Sequence, residues 1–107
     1  MIRHTILFKV KPNVSVQMID DAINAMCELQ NTLSGIFSIV AGECHFHDDK
    51  STQFFTDGVS HAISIDFQDQ ASLDRFFNDA VTHPAKDGIV SISEGGYQGI
   101  VGFDLKS

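Results

Sequence analysis

Two stretches, "IRHTILFKV" at 2–10 and "VSHAISIDF" at 59–67, alternate in side-chain character over nine residues each. In the first, Ile2, His4, Ile6, Phe8 and Val10 share one parity, while Arg3, Thr5, Leu7 and Lys9 share the other. In the second, His61, Ile63, Ile65 and Phe67 face Ser60, Ala62, Ser64 and Asp66 across the same alternation. A period of two over this length specifies a β-strand with one face buried. Such a face needs a covering layer, and no hairpin of two strands supplies one. The rest of the chain has to provide it.

It does so by changing period. Ser15 is suited to cap a helix in which Val16, Ile19, Ile23, Met26 and Leu29 or Leu33 recur at three- and four-residue spacing, with Gly35 as its left-handed stop. Asp69 begins a second helix carrying Leu73, Phe76, Phe77, Ala80 and Val81 on one stripe. A shorter helix follows, starting at His83-Pro84 and ending at Gly95-Gly96, because proline suits the first helical position, where its missing N–H is not needed. "IFSIVAGECHF" from Ile36 is apolar on both alternating sets as far as Ala41, which predicts a strand covered on both faces. "HDDKSTQFFTDG" reads as a long polar connection, and "YQGIVGFDL" from Tyr97 as the last strand. The order β-α-β-β-α-(α)-β is an α+β, ferredoxin-like arrangement: a four-stranded antiparallel sheet with helices on one face. The other face calls for a second copy, joined sheet to sheet.

Composition narrows the function. At 107 residues the chain reads as one domain, 1–107. A net charge of −7, from 14 acidic and 7 basic residues, argues against nucleic acid and against an anionic membrane surface. No apolar run approaches the roughly 18 residues of a membrane span. The N-terminal segment reads as a strand and not as a signal peptide, so a cytoplasmic location is expected. Cys27 and Cys44 fit neither a disulfide framework nor a zinc site.

Three segments, "MIRHTILFKVKPNVS", "GVSHAISIDFQDQASLDRFF" and "HPA", resemble the stress-responsive α/β-barrel (Dabb) family over nearly the whole chain. The resemblance implies homodimers whose sheets pack face to face into a barrel. It also implies a pocket between sheet and helices that His4 and His61 would line. In a polyketide cyclase of this family the motif is H-P-A-H, with a tyrosine three residues before the first histidine. Here Lys86 replaces the second histidine, and the tyrosine position holds Ala80, or Phe76 if counted from the helix start. That chemistry therefore does not carry over, and His83 is expected to start a helix without catalysing.

His4, His61, Phe8 and Phe76 are the candidate pocket residues. The two imidazoles could exchange protons with a ligand oxygen, or each could be a core histidine with a satisfied hydrogen bond. The first alternative is a cofactor-independent cyclase-like or monooxygenase-like enzyme. The second is a domain that binds a small apolar or aromatic molecule without catalysis. His45, His47, Asp48 and Asp49 have ligand-type side chains but no third ligand at fixed spacing, so no metal is assigned and no cofactor is called for. Tyr97, the single tyrosine, is expected to pack at the start of the last strand.

Overall fold

The two alternating segments form the centre of the sheet in a computed structural model that describes residues 1–46 and 58–107. β1 (Ile2–Phe8) runs antiparallel to a strand distant in sequence, His61–Phe67. Their register sets Ile2 opposite Phe67, His4 opposite Ile65, Ile6 opposite Ile63 and Phe8 opposite His61. β2 (Ile36–Glu43) flanks that strand, β3, on its far side, and β4 (Val101–Lys106) flanks β1, so the antiparallel order is β2-β3-β1-β4. α1 (Val16–Thr32), α2 (Gln70–Asn78) and α3 (His83–Ile92) complete the β-α-β-β-α-α-β order.

The helices bury the parity that carries Ile2, Phe8, Ile63, Ile65 and Phe67. Met26 and Leu29 of α1, Leu73 and Phe76 of α2, and Ile89 and Ile92 of α3 close the core over it. Each such large side chain contributes about 1.5–3 kcal/mol on burial. α1 and α3 approach closely where Gly88 faces the small side chain of Ala22. The helix starts follow local chemistry. Ser15 Oγ accepts from Met18 N–H at 3.2 Å, and Asp69 Oδ1 accepts from Ser72 N–H at 2.8 Å. Gly35 has φ +84°, and a Cβ there would overlap the Ser72 side chain, so the turn into β2 requires glycine twice over.

Several expected boundaries move. β1 stops at Phe8 instead of Val10, since β3 begins opposite Phe8; Val10 bridges Ser93 instead. α1 ends at Thr32, with Leu33 as an extended cap, so Gly35 serves the following turn and not the helix end. Val16 is exposed, lying on the solvent side of the first turn. α2 ends at Asn78, because Asp79 leaves helical geometry and its carboxylate accepts from Val81 N–H at 2.9 Å, starting a 3-10 turn over Ala80–Thr82. Val81 is consequently exposed. α3 does begin at His83 with Pro84 next, but ends at Ile92; Gly95 and Gly96 form the left-handed turn beyond it. The polar connection between β2 and β3 lies outside the described residues from 47 to 57.

Within one copy β2 is packed on its helix side through Ile36, Ile39 and Ala41, while Val40 on the other face is exposed. The strand lies at a sheet edge, and a register shift between Ile36 and Ser38 breaks its alternation, leaving Phe37 exposed. The face of the sheet away from the helices is apolar at both edges, where Val40 of β2 and Val101, Phe103 and Leu105 of β4 are exposed. Its centre is polar. Arg3 grips Asp66 with two hydrogen bonds of 2.7 and 3.0 Å, Ser38 Oγ donates to the same carboxylate, and the Thr5 and Ser64 hydroxyls pair at 2.9 Å.

Two predictions follow from this packing. The Arg3 guanidinium, together with the Ser38 hydroxyl, holds the Asp66 carboxyl below the usual carboxylate range, and hydrogen bonds from Ser72 do the same for Asp69. A depressed folded-state pKa stabilises fully above the unfolded value, near pH 4, and that contribution disappears as pH falls through the folded value. Urea midpoints should therefore fall below about pH 4, and less steeply in Asp66→Asn. Thr82 is fully buried, and its Oγ1 has no hydrogen-bond partner among the described residues. Thr82→Val removes an unpaired buried hydroxyl and should raise the stability measured by urea unfolding by about 1 kcal/mol with unchanged slope.

Candidate functional site

His4 sits on a central strand with its side chain on the helix side, 15% exposed. Directly opposite it on β4 is Asp104, whose Oδ1 lies 2.6 Å from His4 Nδ1. An ionised carboxylate only accepts, so Nδ1 carries the proton and, in the neutral ring, Nε2 is left as the acceptor. The ring also meets Phe77 edge to face, with centroids 5.0 Å apart. Carboxylate and aromatic contacts together hold the imidazole in one orientation.

Beside this pair is a cavity of about 220 Å³. The sheet supplies Ile6, Ile63 and Ile65 to its wall, and α2 supplies Phe76 and Phe77. Met26 of α1 and Ile89 and Val90 of α3 close it above. Its polar side chains are His4, Lys86 and Tyr97. An apolar enclosure with few polar groups is the usual form of a small-molecule site, here below the roughly 300–1,000 Å³ of drug-sized ligands. Gly102 keeps it open: a Cβ there would stand 3.5 Å from Ile6 Cγ2 and 3.7 Å from His4 Cε1, so a longer side chain would enter the space beside the imidazole.

The four expected pocket residues do not converge. His4 and Phe76 line the cavity; Phe8 and His61 do not. The reason is register. His61 pairs with Phe8, four strand positions from the His4–Ile65 pair, which is about 13 Å along the sheet. Shared parity places two side chains on one face without bringing them together. His61 stacks on the fully buried Phe8 with centroids 5.8 Å apart, and its Nδ1 lies 2.8 Å from Ser60 Oγ. It borders a separate cleft beside Asp20 and Glu43. His4 and His61 thus border two different clefts of the same sheet face.

Other candidates also settle. His83 is exposed and lies outside the cavity wall, at the start of α3. Lys86, three residues on, is part of that wall, with Nζ 5.2 Å from the Phe77 ring centroid. Tyr97 belongs to a 3-10 turn at Gly96–Gly99 and not to β4, and at 75% exposure it stands at the cavity rim. Of the proposed metal-type cluster, His47, Asp48 and Asp49 lie outside the described residues. Among the described residues, no three His, Cys, Asp or Glu side chains converge as a metal site. Sequence reasoning missed Asp104 and Gly102. The available signal was parity: reading "VGFDLK" as a strand puts Gly102, Asp104 and Lys106 on one side, an acid and a glycine where apolar side chains would be expected.

The fold recurs in solved structures. An Arabidopsis thaliana protein superposes with TM-score 0.84 at 14% identity, covering 100% of this chain and 95% of its own. A dimeric ferredoxin-like protein of unknown function from a Jannaschia species gives TM-score 0.84 at 20% identity, covering 99% and 98%. Hydroxynitrile lyase from Passiflora edulis gives 0.78 at 21% identity, covering 97% and 90%. At these identities the likeness is one of fold. No curated protein matches the chain by sequence. The model of the stress-responsive A/B barrel domain matches residues 2–106, and the chain belongs to that family, Dabb.

Proposed function

We propose that this chain is a small-molecule-binding domain that works as a homodimer, with the ligand held between sheet and helices in each copy. The observation that carries the binding reading is the apolar cavity of about 220 Å³ with an oriented imidazole in its wall. His4 Nε2 would accept a hydrogen bond from the ligand's polar end, and Ile63, Ile65, Phe76 and Phe77 would surround an aromatic ring or a short chain. A cytoplasmic setting belongs to this reading, supported by two free cysteines whose thiols burial makes less acidic and hence less reactive.

Dimerisation is supported by the exposed edge residues Val40, Val101, Phe103 and Leu105 on the helix-free face, and by the Jannaschia protein's description as dimeric. Pairing two such faces would also take the Arg3–Asp66 ion pair out of solvent, already satisfied within each copy.

Two outcomes are expected. In sedimentation velocity at micromolar concentration the wild type runs as a dimer, with an interface above about 1,000 Å², and Leu105→Asp runs as a monomer. A stable wild-type monomer would refute the assembly. Benzyl alcohol, titrated against methyl-labelled protein, should shift the methyl resonances of Ile63, Ile65 and Ile89, and Gly102→Leu should abolish those shifts while leaving the fold's resonance pattern in place. Absence of shifts in the wild type, or shifts that persist unchanged in Gly102→Leu, would remove the cavity reading.

A further inference from the structure

Lys86 is the cavity residue that local structure least explains. It lies in the first turn of α3, where a cation opposes the helix dipole, and that turn contains no acidic residue. Among the described residues no carboxylate lies within 4.0 Å of its Nζ, the ion pairs being Arg3–Asp66, His4–Asp104 and Lys9–Glu94. The chain has 14 acidic residues for 7 basic ones, so an available carboxylate would be easy to place beside a lysine whose role was stability. Asp104, the acid nearest in function to the cavity, is already committed to His4 Nδ1.

What holds Lys86 is Phe77. The ammonium lies over the face of that ring, and the same ring meets His4 edge-on. A cation–π contact orients the charge without neutralising it. The result is a half-buried lysine in the wall of a largely apolar cavity, whose other polar side chains are His4 and Tyr97, with no carboxylate in ion-pair reach among the described residues. Three rotatable donors on a flexible stem suit a carboxylate, and a charge-assisted bond in apolar surroundings is stronger than a neutral one.

We propose, resting on the ligand-binding reading above, that the cavity selects small apolar monocarboxylates and that Lys86 is the residue that determines this specificity. The volume limits the apolar part to a single ring or a short chain. Lys86 then receives the carboxylate, while His4 Nε2, an acceptor with no proton to take from a carboxylate, borders the ligand's apolar part.

The test compares benzoate with benzamide, and hexanoate with hexanamide, by isothermal titration and by the same isoleucine methyl resonances. Each acid should bind the wild type about tenfold or more tightly than its amide, the range expected for a hydrogen bond to a charged group. Lys86→Met, which keeps the stem and removes the charge, should erase that preference while leaving amide binding within about twofold. Lys86→Arg should retain it. Amides that bind the wild type as tightly as the acids, or a preference that survives in Lys86→Met, would overturn the assignment and leave the cavity reading standing. If benzyl alcohol, the acids and the amides all fail to shift the cavity methyls, both readings fall together.

Discussion

Antiparallel pairing of β1 with β3 is the constraint on which the remaining structure depends. Setting Ile6 opposite Ile63 and His4 opposite Ile65 gathers the apolar parity of both strands on one face. A slip of one residue in β1 would turn Arg3 and Thr5 to the helices and expose Ile6, and a slip in β3 would do the same with Ser64 and Asp66 at the expense of Ile63 and Ile65. Because one face is so apolar and the other so polar, the register has no close competitor. The helices then have one surface to cover, and α1 and α3 can approach each other closely above it through Ala22 and Gly88.

β4 converts this packed sheet into a site. It is the edge strand beside β1, so its helix-facing residues stand next to His4. Apolar side chains at those positions would have extended the core. Gly102 instead leaves space, and Asp104 fixes the neighbouring imidazole. The same strand puts Val101, Phe103 and Leu105 on the opposite face. One six-residue segment thus shapes the cavity on one side and supplies most of the exposed apolar surface on the other. Any sheet-to-sheet contact would bear on the cavity through this strand, one residue away from His4 in the hydrogen-bond ladder.

Lys86 and Tyr97 are cavity residues that local stability does not account for. A lysine in a first helical turn and a tyrosine at 75% exposure are both poor choices for folding alone. Local choices that conflict with stability concentrate at functional positions, where another requirement has prevailed. Both residues belong to the cavity wall. His61, which the sequence makes look equally functional, has its ring stacked on Phe8 and its nitrogen beside Ser60, as a structural histidine does.

Element order, the two central strands, the caps at Ser15 and Asp69 and the start of α3 were legible from the residues alone, because period and capping chemistry are local. Parity also correctly placed His4 on the helix side. It could not tell that His61 lay elsewhere on the same face, since alternation records which side a residue faces and not which cross-strand neighbour it meets. The end of α2 was misread because Ala80 and Val81 continue its apolar spacing, while the side chain of Asp79 starts a different turn. In β2 an extra residue at the Ile36/Ser38 shift breaks the period of two, so parity alone could not assign its faces. The site itself needed tertiary structure: Asp104 is 100 residues from His4 in sequence, and only strand pairing brings the two within hydrogen-bond distance. Lys86 likewise became part of the cavity only through the packing of α3 over Phe77.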